Sequence, residues 1–206
     1  GAMGNHSIET PHLDQLATKG VLFKNAHIMG GNHGAVCAPS RAMLMSGLGL
    51  NHVYEALGEI TEEEWRNEEK GKYRPFGKAL DDKLTLPRLF REKGYTTFGT
   101  GKWHASRKSF SDGFVKGKDI FFGGMADHFK TPFTEMNEDG SFSRSERKGF
   151  STDVITDAAL EFLEGHAREK SQQPFFAFVA YTAPHDPRSP APGYIDYYNG
   201  QSLPVP

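Results

Sequence analysis

The sequence predicts an α/β fold with a largely parallel sheet. Helical and strand-like patterns alternate along the chain, and each of the two clearest later strands follows a helix. The last of them, Phe175 to Tyr181, is apolar on both faces, as a strand covered on both sides should be. Composition is consistent with a packed domain: 206 residues, 37% apolar, with 16 Phe and 7 Tyr, too aromatic for a disordered chain.

Charge and cysteine content narrow the function classes. Lys and Arg total 24 against 26 Asp and Glu, a net charge of -2, so neither nucleic acid nor an anionic membrane surface is the expected partner. One cysteine excludes an internal disulfide framework and a multi-cysteine zinc site. Phe175 to Tyr181 is far too short to cross a bilayer. Gly1-Ala2-Met3 reads as a cloning remnant, and 206 residues sit near the upper end for a single domain.

Thr10-Pro11 supplies an N-cap residue and a first-turn proline for a helix with Leu13, Leu16 and Ala17 on one face, stopped at Gly20. Val21 to Met29 reads as a strand. A second helix is expected from about Pro39 to Gly47, and a third after Thr85, ending at Gly94. Tyr95 to Thr100 is then a short strand rich in Thr and aromatics. The strongest helical pattern starts at Thr152 and carries Val154, Ile155, Ala158, Ala159, Phe162 and Leu163 before Gly165. Three segments read as excursions from this core: Glu59 to Lys83, Ser106 to Arg147 and Tyr194 to Pro206.

Three short stretches could carry chemistry. In Cys37-Ala38-Pro39-Ser40-Arg41, Pro39 favours a helix start, which places Cys37 just outside a helix N-terminus, where free N–H groups favour negative charge. Arg41 follows about one turn later, and a nucleophile beside a fork-shaped cation makes an oxyanion corner. On spacing alone, a buried structural cysteine next to a surface arginine is the simpler account. A phosphatase loop fails, because Met43 stands where its arginine should be, and His33 is not diagnostic of a cysteine protease. In Gly101-Lys102-Trp103-His104, period-two alternation points Lys102 and His104 to one face at the carboxyl end of a strand, where open α/β sheets bind ligands. A P-loop fails there because Trp103 replaces the required Ser or Thr. In Pro184-His185-Asp186-Pro187-Arg188, a histidine again lies just past a strand end, in a loop stiffened by two prolines. Together these stretches supply Arg, Lys and two His, a set suited to a small anion.

In combination the stretches resemble the type I, formylglycine-dependent sulfatases of the alkaline phosphatase superfamily. Cys37-Ala38-Pro39-Ser40-Arg41 matches the family's Cys-x-Pro-x-Arg signature, and Gly94 through His104 is similar to its second signature. Thr10-Pro11-His12-Leu13-Asp14 looks like its Thr-Pro-Asn-Leu-Asp stretch, and Pro174 through Pro187 like its Pro-Phe-Phe…Pro-His-x-Pro stretch. Phe122 through His128 and Ala183 through Arg188 look like bacterial carbohydrate sulfatases.

The resemblance implies a mixed, largely parallel sheet sandwiched by helices, incomplete in this chain, and release of sulfate from a sulfated carbohydrate or an aryl sulfate. It implies that a maturation enzyme oxidises Cys37 to formylglycine, whose hydrated aldehyde attacks sulfur and later collapses to expel sulfate. Arg41 would orient that group, Lys102 would neutralise a sulfate oxygen, His104 would assist the collapse, and His185 would be the general acid. Asp127, His128 and Arg188 are expected to contact the sugar. Calcium would bind the oxygen of the modified Cys37 and polarise the sulfate.

The family's other metal ligands are an aspartate pair before the Thr-Pro stretch and an Asp with Asn or His beyond the Pro-His-x-Pro stretch. Only Gly1 to Glu9 precede the first and the sequence stops at Pro206, so by this resemblance residues 4–206 read as part of the family's catalytic domain, a fragment that is either bound to a complementary piece of the same protein or poorly active. Asp81-Asp82, the only adjacent aspartate pair, sits in a polar loop and is a poor substitute. A periplasmic or secreted location follows from the resemblance. Two alternatives stay open: phosphonate or phosphodiester hydrolysis, and a non-catalytic interaction module with Cys37 unmodified.

Overall fold

The computed structural model describes residues 1–31, 36–57, 78–169 and 172–200. Most of the Glu59 to Lys83 segment, His33 and residues 201–206 lie outside the described residues. The described elements divide between two units, Met29–Ser189 and Gly1–Ile28 with Pro190–Pro206.

The larger unit holds one five-stranded sheet. Its elements, in chain order, are α2 (Cys37–Ser46), α3 (Leu50–Leu57), α4 (Leu86–Glu92), β1 (Thr96–Lys102), α5 (Arg107–Gly113), β2 (Lys116–Phe121), β3 (Thr134–Met136), β4 (Phe142–Arg144), α6 (Ser151–Arg168) and β5 (Phe175–Ala180). The spatial order is β4-β3-β2-β1-β5. β1 pairs parallel with β2 and β5, while β2–β3 and β3–β4 are antiparallel, so the sheet is mixed.

Helices cover both faces. On one face Phe98 of β1 stacks on Phe162 of α6 at 4.4 Å, and Phe175 of β5 meets the same ring edge-on at 5.8 Å. On the other face Phe176 stacks on Phe90 of α4 at 4.6 Å, and Phe178 meets Trp103 edge-on at 6.0 Å. Successive β5 residues thus serve opposite layers, which explains the strand's apolar character on both faces. Among the described residues β5 stands at the end of the sheet, with Phe175 44% exposed.

Two further expectations are corrected. Ser106 to Arg147 is no excursion: it supplies α5 and three of the five strands. Strands β3 and β4 have three residues each, too short to leave a period-two signature. Four phenylalanines of this segment, Phe110, Phe114, Phe122 and Phe142, form an aromatic core with Trp103. Val21 to Met29, in turn, forms no strand, and Val21, Phe23, Ile28 and Met29 are exposed. β-propensity measures fit to a pleated, half-buried surface, and this stretch has no strand partner among the described residues.

In the smaller unit, α1 (Pro11–Lys19) begins with proline at its first turn, as its sequence requires. Leu13 and Leu16 are exposed on it. Tyr197 donates to Glu9 Oε2 at 2.6 Å, tying the start of this unit to its later segment.

Candidate active site

Cys37 is the first residue of α2 rather than the residue before it, with Val36 as N-cap. The helix closes at Gly47, whose φ of 70° permits a left-handed cap. Cys37 is a free thiol, partly exposed. One turn along, Arg41 lies close enough to feel its charge. Burial pushes the guanidinium pKa down, and a thiolate at Cys37 opposes that shift. Arg41 Nη1 donates to the carbonyl of Lys102 at 2.5 Å, which fastens α2 to the carboxyl end of β1.

The end of β1 is shaped by glycine. Gly101 has φ 78°, and a Cβ there would stand 2.0 Å from the carbonyl oxygen of Ala180 on β5. Only glycine allows the two parallel strands to come this close. A register shift in the β1–β2 pairing falls between Gly99 and Gly101, and a bulge of this kind re-aims the side chains that follow it.

Lys102 is 3% exposed, and its ammonium donates to the carbonyl of Gly124 at 2.5 Å, in the loop after β2. A buried lysine requires such a partner. Trp103 turns into the core, its Nε1 donating to Ser109 Oγ at 3.1 Å. His104 then adopts φ 59°, a left-handed conformation that costs a non-glycine residue about 1 kcal/mol. Its ring lies against Gly124, where a Cβ would meet Nε2 at 2.8 Å. Lys102 and His104 therefore meet at Gly124, through a bulge and a left-handed turn rather than through simple strand alternation.

The structure thus links Cys37, Arg41, Lys102 and His104 in one chain of contacts, with Gly124 as the residue both Lys102 and His104 touch. Sequence reasoning missed Gly124 as a site residue, although the Gly123-Gly124 pair is a signal for close backbone approach.

His185 lies beyond the carboxyl end of β5, the strand beside β1. Its Nδ1 donates to the carbonyl of Asp186 at 2.9 Å, leaving Nε2 as the nitrogen to face a substrate. His128 is 1% exposed and lies beneath this loop: Nε2 reaches the carbonyl of His185 at 2.9 Å, and Nδ1 stands 3.1 Å from both Ser151 Oγ and Thr182 Oγ1. Asp127 is exposed and accepts from the Phe129 N–H at 2.8 Å, shaping the turn that begins there. Arg188 is exposed and pairs with Asp186 at 3.0 Å.

Among the described residues no group of three or more His, Cys, Asp or Glu side chains stands together. A hard dication takes six to eight oxygen ligands, and the side chains linked to Cys37 are cationic, so these residues do not by themselves make a calcium site. Asp81 and Asp82 are engaged elsewhere: Asp81 accepts from Ser106 Oγ, and Asp82 pairs with Lys108 at 3.0 Å. A formylglycine at position 37 does fit, since the side chain there is partly exposed, stands at a helix start and lies near the Arg41 guanidinium. Among the described residues no helix is long and apolar enough to cross a membrane.

Comparison with known proteins identifies the family. A family model described as sulfatase matches residues 1–204. An uncharacterised sulfatase of Schizosaccharomyces pombe is 30% identical over 94% of this chain and 37% of its own length. An N-acetylglucosamine-6-O-sulfatase of Bacteroides thetaiotaomicron is 29% identical over 98% of this chain and 31% of its own length. A solved structure in complex with its substrate D-glucosamine-2-N,6-O-disulfate superimposes with a TM-score of 0.70 at 28% identity, covering 98% of this chain and 35% of that one. The chain spans about a third of the length of these relatives. With a cysteine at a helix start joined through Arg41 to a buried lysine, and a family match running almost end to end, the chain belongs to the sulfatase family.

Proposed function

We propose that the protein containing this chain hydrolyses sulfate esters of carbohydrates, with Cys37, converted to formylglycine, at the reacting centre. The observation that carries the reading is the fastening of Arg41 to the backbone of Lys102, which puts the start of α2 against the end of β1. Cations fixed in this way act on developing negative charge without reorganising during the reaction. A carbohydrate substrate is supported by the relatives named for 6-sulfated amino sugars.

Formylglycine supplies the oxygen nucleophile when present; the rest of the chemistry falls to this chain's own residues. Arg41 holds the position-37 side chain at the helix start. Lys102 offsets charge on the sulfate oxygens, and its attachment to Gly124 fixes its direction. His104 handles the proton that accompanies sulfate release. As an imidazolium, His185 keeps its Nδ1 proton on the Asp186 carbonyl and gives its Nε2 proton to the departing sugar oxygen, ending as the neutral Nδ1–H ring. Of the three residues expected to contact the sugar, the exposed Asp127 and Arg188 would do so, whereas His128 is buried with both ring nitrogens bonded inside the fold; the exposed Arg188–Asp186 pair contributes little to stability and is easily exchanged for a substrate anion. Calcium would need oxygen ligands other than the described residues.

A formylglycine-generating enzyme is the implied maturation partner, and a periplasmic or secreted location is supported by a relative named as an extracellular sulfatase in Caenorhabditis elegans. The test is sulfate release from N-acetylglucosamine 6-sulfate by the full-length protein, matured in a host with the oxidising enzyme. Turnover that disappears in Cys37→Ala is expected. Faster hydrolysis of a matched phosphodiester or phosphonate, or unchanged turnover in Cys37→Ala, would overturn the reading.

A further inference from the structure

We propose that His128 is a positioning residue for His185, setting the loop that presents the acid to the leaving group; the proposal rests on the sulfatase reading above. The ring is buried, and its hydrogen bonds join three separate parts of the fold. Nε2 lies 2.9 Å from the carbonyl of His185, which can only accept, so Nε2 carries the proton. Nδ1 is then the acceptor of the neutral ring, 3.1 Å from the hydroxyls of Ser151 and Thr182. Those two hydroxyls are 2.7 Å apart, so one can donate to the other while the second donates to Nδ1. Two hydroxyl protons serve two bonds, and the network closes.

The same ring is itself anchored. The carbonyl of His128 accepts from the N–H of Ser151 at 2.7 Å, at the first turn of α6. The loop is held at both ends: Thr182 through its hydroxyl and His185 through its carbonyl, with the His185 N–H returning to the Thr182 carbonyl at 3.1 Å. A shift of the His128 ring therefore displaces the His185 backbone directly. Ser151 is fully buried and Thr182 is 6% exposed, so water is poorly placed to replace these bonds.

The test uses the full-length, matured protein and two leaving groups. A sugar alkoxide needs its proton during departure, whereas 4-nitrophenolate departs without one. His128→Leu should lower kcat on the sugar sulfate by about 30- to 100-fold, leave its KM within about threefold, and lower kcat on 4-nitrophenyl sulfate by less than about threefold. His128→Gln, whose amide can reach the same carbonyl, should recover most of the sugar-sulfate rate. Thr182→Val, close to isosteric, should show the same leaving-group pattern at smaller amplitude and serves if His128→Leu fails to fold. Equal losses on both substrates, or none on either, would overturn the proposal.

Amide hydrogen exchange on the same proteins separates the two layers of inference. Faster exchange across 182–187 in His128→Leu, with α6 unchanged, is expected. If it occurs in a protein that releases no sulfate, positioning stands and the sulfatase reading falls. Unchanged exchange there overturns positioning whatever the activity.

Discussion

β1 and β5 are parallel neighbours, and each passes at its carboxyl end into a loop bearing a histidine, yet the two ends are built differently. At the end of β1, position is set by backbone: Gly101 at φ 78°, a register shift, His104 at φ 59° and the close approach of Gly124. At the end of β5, position is set by side chains: one buried imidazole and two hydroxyls hold the loop of His185. The first arrangement fixes the buried Lys102 ammonium and the His104 ring and leaves little room to adapt. The second fixes the backbone at His185 and is tunable by single polar substitutions.

That contrast yields graded expectations. Gly101→Ala should be the most damaging change, because its Cβ would collide with the Ala180 carbonyl at 2.0 Å as well as requiring a left-handed alanine. A loss exceeding about 4 kcal/mol, seen in denaturant unfolding of the full-length protein, is expected. A near-native midpoint would show that the β1–β5 contact is not the constraint described.

Arg147→Ala tests a site away from both histidines. Arg147 faces the fully buried Asp119 at 3.4 Å, and Ser145 donates to the same carboxylate at 2.6 Å. Burial raises the Asp119 pKa, while Ser145 and Arg147 pull it down. Removing the guanidinium should destabilise by about 3 kcal/mol at neutral pH. It should also raise that pKa further, so the folded carboxyl holds its proton to higher pH than the unfolded one. The mutant's deficit is then largest above the folded pKa and shrinks as the pH falls through it. Melting temperatures at pH 7 and pH 5 for wild type and mutant check this. A deficit that grows on acidification would contradict it.

Gly124→Ala sharpens the comparison itself. The added methyl presses on the His104 ring, leaving the His185 loop untouched, so kcat should fall by about 10²-fold on both sugar and aryl sulfates. The absence of leaving-group dependence would distinguish it from changes at His128. Smallest of all, Ser106→Ala removes the oxygen that accepts the Ser109 N–H at the start of α5. It should cost about 1 kcal/mol in thermal unfolding with rate constants unchanged.

Much of this architecture is legible in the sequence where local chemistry decides it. The helix beginning at Leu86 follows from its Thr85 cap, that at Pro11 from its first-turn proline and that at Ser151 from apolar spacing, and the strands at Thr96 and Phe175 from β-branched and aromatic runs. The corner of Cys37, Arg41, Lys102 and His104 is readable because its residues cluster in two short signatures. Non-local effects are what the sequence conceals. Val21 to Met29 has strand composition without a strand partner among the described residues, and three-residue strands between Ser106 and Arg147 leave no periodic trace. His128 is a lone histidine in sequence; only folding brings Ser151, Thr182 and the His185 carbonyl around it.

The most direct measurement of the central claim is a crystal structure of the full-length protein as Cys37→Ala with a 6-sulfated amino sugar bound. The account predicts the sulfate group at the start of α2, within hydrogen-bond distance of Lys102 Nζ and the His104 ring, with its ester oxygen turned toward His185 Nε2. A sulfate group seated elsewhere, with these three side chains turned away from it, would contradict the account.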